Sequence, residues 1–438
     1  MMLGIRRSLA LSKRRQWTNP PASSRHSSAA ATANEPSKPE APSPSKVHSI
    51  YMWGTSPKVS TIPQNMLSGS VNKTSGMFSG KDTVIDHPMM LSLDSSECDF
   101  KLGDISRVFC GATGTAFLST DGKCFVLGSN KNGELGIGET KEVPKPTLLS
   151  IPVPVQKASL GENFSALLTT EGDIYTFGYG GSLVNGMGML GHGSMDSFKT
   201  PKQVESLIED GCYASDVHVG EYSMTVLTTE GEVLTCGSGS YGRLGNVETT
   251  DQLYLEPVEL MGAEETVQIA GGHAFSLALN TGGIIHSWGR NNEGQLGTGM
   301  GMAVDAYSME SIPQPIEGDL EGRKVSRVAA GHSHAAAVTV DGELFTWGMN
   351  STHEPKLESS LLHTKIVDVA CGKNYTLALD EGGRVHAMGN GKTGVLGLAS
   401  TKYSAFPVLV EGIPAEERVV HMSCGHAHVA CVTELKNK

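Results

Sequence analysis

The chain has 438 residues, 39% of them hydrophobic, with 53 glycines (about 12%), 18% charged residues and a formal net charge of −12. Glycine is well above its usual share and charge well below, which favours many tight turns over charged amphipathic helices. No stretch approaches the ~20 consecutive apolar residues of a membrane-spanning helix, so none is expected.

The first 46 residues hold eight of the 34 basic and two of the 46 acidic side chains, leaving 26 basic against 44 acidic, or −18, for the rest. Such a body repels polyphosphate backbones, which disfavours direct nucleic-acid binding by it. Residues 1–34 carry Arg6, Arg7, Lys13, Arg14, Arg15 and Arg25 with no acid, and Leu3, Ile5, Leu9 and Leu11 can share one short apolar face. Arg-rich, Ser-rich, acid-free leaders follow the mitochondrial presequence pattern, so 1–34 is expected to be a presequence and the matrix its destination. A nuclear-import cluster at Lys13-Arg14-Arg15, or a basic tail of a nuclear or cytoplasmic protein, is the competing reading. Residues 35–46, rich in Pro, Ser, Glu and Lys, have too little apolar surface to fold and read as a linker. The folded part is expected to span 47–438.

Self-similarity organises that part. Seven anchor glycines recur: Gly111, Gly161, Gly220, Gly272, Gly331, Gly372 and Gly425. Eleven residues after each of the first six comes another glycine (Gly122, Gly172, Gly231, Gly283, Gly342, Gly383), and six later a third (Gly128, Gly178, Gly237, Gly289, Gly348, Gly389). Pairs such as Asp121-Gly122 and Asp341-Gly342 suit a two-residue hairpin turn at positive φ. Apolar runs flank them, as in Ala335–Val340 and Leu344–Trp347. With a strand leading into each anchor and a later Pro-containing strand, each unit has about four strands, and such units stacked radially make a β-propeller. The last unit, after Gly425, lacks a second hairpin arm, and Ile50-Tyr51-Met52-Trp53-Gly54 matches the missing piece. The expected fold is therefore all-β: a seven-bladed β-propeller closed by pairing of N- and C-terminal strands, read as a monomer.

Val328–Val338, with its Gly331-His332, together with Phe345-Thr346-Trp347-Gly348 and Asn292-Glu293-Gly294-Gln295-Leu296-Gly297, resembles the regulator of chromosome condensation repeat family across 47–438. The resemblance implies the same seven-bladed propeller. That family includes a guanine-nucleotide exchange factor for the GTPase Ran, a plant ultraviolet receptor and many binding platforms, so the fold alone leaves function open. Ultraviolet sensing is disfavoured, because the folded part has only Trp53, Trp288 and Trp347, all at one strand-end position rather than clustered.

Motifs that suggest chemistry dissolve into the repeat. Gly186-Met187-Gly188-Met189-Leu190-Gly191 fits the dinucleotide pattern, but no helical periodicity follows to hold a pyrophosphate. Gly391-Lys392-Thr393 lacks the phosphate-loop glycine, His386 standing in its place. The pairs His332/His334 and His426/His428 would share a face on a regular strand. His334 and His428 take the position of Phe164, Phe275 and Tyr375, which reads as structural packing. Cys110, Cys371 and Cys424 precede anchors and read as small core residues. No catalytic residue, metal or cofactor is assigned.

Departures from the repeat mark candidate binding loops. The stretches Tyr179–Met189 and Gly299–Ser311 are rich in Gly and Met, and Tyr179, Leu183, Met187, Met189, Met300, Met302 and Tyr307 are the expected protein-binding residues. The long excursion after Gly54 reads as an insertion or a diverged blade arm. The short span from Gly348 to Gly372 has no Leu-Gly element, which leaves open whether that blade keeps all its strands. Two functions remain: a protein-interaction platform for mitochondrial assembly or gene expression (ribosome, respiratory complex or RNA processing), with assembly intermediates as partners, and a guanine-nucleotide exchange factor acting on a GTPase.

Overall fold

Four-stranded antiparallel sheets recur seven times in the computed structural model, each a blade whose first strand lies innermost. The structure describes residues 48–56, 83–91, 104–182, 184, 186–258, 264–299, 308–349 and 351–436, so the expected presequence and linker lie outside the described residues. Blades 1 to 6 begin at Ile105, Val155, Ala214, Thr266, Val325 and Ile366 and run in chain order.

Burial explains the sequence texture. The second strand of a blade, such as Gly114–Ser119 or His334–Thr339, is buried along its whole length between neighbouring blades, so it reads as a continuous apolar run. Outer strands such as Phe198–Gln203 and Thr352–Leu357 are largely at the surface and carry prolines (Pro201, Pro355) that leave an edge poor in hydrogen-bond donors.

Blade 7 closes the ring as expected. Glu417–Cys424 and His428–Leu435 supply its inner strands, His48–Ser56 the third and Thr83–Met90 the fourth. The closing register pairs Ile50 with Val432, Met52 with Ala430 and Gly54 with His428. The excursion after Gly54 thus returns as a blade arm, while 57–82 lie outside the described residues.

One expectation needs correction, and one open question is answered. The turn within each hairpin is a three-residue loop: Ser119 N donates to Lys123 O at 2.9 Å, leaving Thr120, Asp121 and Gly122 between them, and Gly122 N donates to Ser119 O at 3.0 Å with Gly122 at φ 80°. This is a type I turn ended by a left-handed glycine, which suits Asp-Gly as well as the two-residue turn does. Blade 5 also has all four strands. Thr352–Leu357 follows Gly348 through a tight reversal with Met349 at φ 52°, and only the Leu-Gly loop is missing.

The anchor glycines are fixed by space. A Cβ on Gly272 would lie 2.5 Å from the carbonyl oxygen of Gly331, and one on Gly425 would lie 2.5 Å from that of Gly111, so the next blade's backbone fills the side-chain position. Gly425→Ala should therefore lower unfolding stability by about 3 kcal/mol through forced separation of blades 7 and 1. Gly322→Ala is the control: Gly322 has φ 76° but nothing within 4 Å of its Cβ, so it should cost only about 1 kcal/mol. Urea midpoints at constant m compare them, and equal losses would refute the steric account.

Each Leu-Gly loop caps the next blade. The indole N–H groups of Trp288, Trp347 and Trp53 donate to the carbonyls of Arg243, Gln295 and Val395 at 3.1, 3.0 and 2.8 Å, the residues that precede Leu244, Leu296 and Leu396. The three tryptophans are thus dispersed over three blade junctions, each no more than 2% exposed.

Candidate functional site

All seven anchor glycines converge on one axial cavity of roughly 130 Å³. The residue after each anchor sets its chemistry, and Glu162, Glu221, His273, His332, Lys373 and His426 form a polar collar there. Backbone bonds tie the collar from blade to blade: Glu221 N to His273 O, His273 N to His332 O and His332 N to Lys373 O, each 3.3 Å, and His426 N to Gly111 O at 3.2 Å. His273 Nε2 lies 2.7 Å from Glu221 Oε2, and the His273 and His332 rings pack with centroids 4.1 Å apart.

Burial, the largest effect, brings His332 and His426 down to about 4, so both imidazoles are neutral near pH 7. The collar offers neutral nitrogens beside one lysine and two carboxylates. Cys110, Cys371 and Cys424 also line the cavity, and burial pushes all three thiols up, Cys371 to about 12, which keeps them protonated and poor nucleophiles.

The paired histidines do not share a face. His332 and His426 line the axis, whereas His334 and His428 are buried between blades, with Nε2 atoms 3.0 Å from Thr376 Oγ1 and 2.8 Å from Thr115 Oγ1. The strand begins only at His334 and at His428, so strand periodicity does not reach the preceding member.

The irregular loops share one rim. Gly114 pairs with Gly128, which places the anchor loop and the connection to the outer strand at the same end of the blade. In blade 2 this connection forms a small hairpin, Gly181–Ser182 against Gly186–Met187, with Val184 at its tip 93% exposed. Asp251 of blade 3 holds it: Oδ2 accepts from Met187 N at 2.6 Å and Oδ1 from Gly239 N at 3.0 Å. Next to it Arg243, only 4% exposed, donates through Nε to Ser240 O at 2.9 Å, while its guanidinium and that of Arg290 lie 5.8 and 4.9 Å from the Tyr241 ring centre.

Of the expected binding residues, Tyr179 and Met187 are partly buried on this rim. Met189 is fully buried at the junction of blades 2 and 3, its carbonyl accepting from Cys236 Sγ, and so offers no side-chain surface to a partner. Leu183, Met300, Met302 and Tyr307 lie outside the described residues. The collar and Asp251 were missed. A signal for the collar was present in the fixed place after each anchor glycine, but only ring closure shows that these places meet.

Residues 73–361 match the RCC1-like domain, and 366–394 and 382–432 match the regulator of chromosome condensation (RCC1) repeat. The chain belongs to the RCC1 repeat family. Among its relatives, human E3 ubiquitin-protein ligase HERC2 is 30% identical over 344 residues, which cover 74% of this chain but 7% of HERC2. The ultraviolet-B receptor UVR8 of Arabidopsis thaliana is 28% identical over 336 residues, 74% of this chain and 73% of the receptor. Two solved propellers superpose with TM-scores of 0.73: human WBSCR16 at 20% identity, covering 89% of this chain and 100% of that one, and Prp20p of Saccharomyces cerevisiae at 18%, covering 90% and 93%. The Prp20p structure is described with its binding to Gsp1p and histones. At these identities the structural likeness establishes the RCC1 fold.

Proposed function

We propose that this RCC1-family propeller is a protein-docking platform of the mitochondrial matrix, serving assembly or organellar gene expression. The observation that carries the platform reading is the asymmetry of the ring. A closed scaffold gathers its irregular connections on one rim, and there an exposed hairpin is stapled to the next blade by Asp251. Rigid display of loops is how propellers present binding surfaces. The acid-free, arginine-rich leader supports the matrix address.

Proximity labelling with the full-length chain in intact cells tests the reading, with matrix proteins as the expected neighbours; enrichment of nuclear chromatin proteins would refute the address. Accelerated release of fluorescent GDP from a mitochondrial or nuclear GTPase would replace the platform with an exchange factor. The expected result is release unchanged within twofold.

A further inference from the structure

Blade 5 breaks the repeat at a place that loops on the opposite rim do not explain. In the other six blades the residue that follows the outer strand is a buried aliphatic, Leu91, Leu149, Val204, Val258, Ile316 or Val410, none more than 7% exposed. Its N–H bonds to the start of the third strand, as Leu149 N does to Cys124 O at 2.9 Å. In blade 5 the same bond is made by Glu358, to Leu344 O at 2.9 Å, so a carboxylate stands where the fold elsewhere buries hydrocarbon.

The missing Leu-Gly loop compounds the change. In blades 2, 3 and 4 a hydroxyl on the third strand donates to the loop's leucine carbonyl: Thr176 to Leu190, Thr235 to Leu244 and Ser287 to Leu296, at 2.9, 2.7 and 2.8 Å. Its counterpart Thr346 has no such carbonyl and donates to Glu358 Oε1 at 2.6 Å. The residue that the loop would cap on blade 6, Met388, is half-buried, whereas its counterparts Trp53, Leu127, Phe177, Cys236, Trp288 and Trp347 are at most 2% exposed.

A cavity of roughly 240 Å³ opens beside Glu358, with an aliphatic wall of Leu344, Leu357, Leu361 and Leu362. Of its other carboxylates, Glu343 pairs with Arg323 and Glu381 lies 3.8 Å from Lys365, whereas neither Glu358 nor Asp341 has a cation within ion-pair distance among the described residues. Burial raises its carboxyl pKa. The cavity adjoins an unusual strip. The turn Ser359–Leu361 lies beside Ser404–Leu409, the outer strand of blade 6, which exposes Phe406 and Val408 by 67% and 43%. That strand carries no charge, although every other outer strand does.

We propose that this cavity docks an arginine side chain of a partner protein, its aliphatic stem against Leu357, Leu361 and Leu362 and its guanidinium on Glu358, with apolar residues of the same segment on the Phe406 strip. The proposal rests on the platform reading and names one surface of it. Charge complementarity selects a cation, because Asp341, Glu343, Glu358 and Glu381 outnumber Lys365 in the lining. The aliphatic wall selects a long stem, and the several N–H donors of a guanidinium can share the carboxylate with Thr346, whose hydroxyl uses one lone pair of Oε1.

The test uses the full chain with labelled leucine methyls and three probes: N-acetyl-arginine amide, its neutral analogue N-acetyl-citrulline amide, and N-acetyl-lysine amide. The arginine probe should shift the methyls of Leu357, Leu361 and Leu362 in a saturable way at millimolar concentration, at least tenfold more tightly than either other probe. Glu358→Leu, which restores the aliphatic pattern of the other blades and should fold, and Glu358→Gln should each weaken it at least tenfold. No shift with the arginine probe, an equal response to citrulline or lysine, or unchanged binding in both variants would overturn the proposal. None of these outcomes bears on the labelling or nucleotide-release experiments.

Discussion

Between pH 7 and pH 5 the stability of the folded chain should fall steeply. His334 and His428 are 6% and 1% exposed, and burial holds their folded pKa values at about 4 and about 3. Burial likewise takes His218 to about 3 and His421 to about 4. An unfolded histidine takes its proton near 6.5, so from about 6.5 down to about 4 the unfolded chain binds protons that the native chain refuses. The native advantage is therefore complete above the unfolded value and lost as pH falls towards the folded ones. Each such group contributes about 1.4 kcal/mol per pH unit within that window, and the four together about 6 kcal/mol per pH unit, against a total stability of about 5–15 kcal/mol. Urea midpoints at pH 7, 6 and 5 measure the slope. His334→Phe borrows the residue that blades 2 and 4 use at that position, Phe164 and Phe275. It should flatten the slope by about one proton even though it loses the bond to Thr376. A flat profile, or an unaltered slope in the variant, would show that these histidines protonate in the native state.

The fold was legible because steric demands recur at fixed intervals. Anchor glycines cannot be replaced where the next blade's carbonyl fills the Cβ position, and turn glycines are held at positive φ, so both spacings survive divergence of everything between them. Closure could be read because the segment at Trp53 must pack under the loop at Leu396 as Trp347 packs under Leu296. The fourth strand of blade 5 was not legible. Thr352–Leu357 is an edge strand largely open to water, so nothing imposes an apolar alternation on it, and its usual herald, the Leu-Gly loop, is absent. The turn length was ambiguous because Asp-Gly serves both loop types, and pairing of the flanking strands decides between them.

Less of the site could be read. The collar residues are scattered from Glu162 to His426 and share no chemistry, so only their register relative to the anchors connects them. Met189 reads as a binding residue because it lies in a Met- and Gly-rich stretch, yet it precedes Leu190 and its turn is drawn into the junction with blade 3. Glu358 illustrates the converse. A glutamate after a polar strand is unremarked in sequence and becomes informative only beside six aliphatic counterparts.

Removing residues 1–56 should abolish the cooperative native state. The third strand of blade 7 buries Ile50, Met52 and Trp53 completely and Tyr51 to within 4%. At about 1.5–3 kcal/mol for each fully buried large side chain, the loss is about 8 kcal/mol, comparable to the whole stability of a typical domain. The damage spreads further: Thr83–Met90 would lose its neighbour, and His428–Leu435 would expose an unpaired edge. The truncated chain should elute earlier from a sizing column and lose the sharp thermal transition seen by near-ultraviolet circular dichroism. A synthetic peptide spanning His48–Ser56, added in excess, should restore part of both signals, since it supplies the strand whose Ile50 and Met52 pair with Val432 and Ala430. A truncated chain that melts and elutes like the parent would mean that the C-terminal hairpin holds the ring without its N-terminal partner, and the closure would then be ornamental.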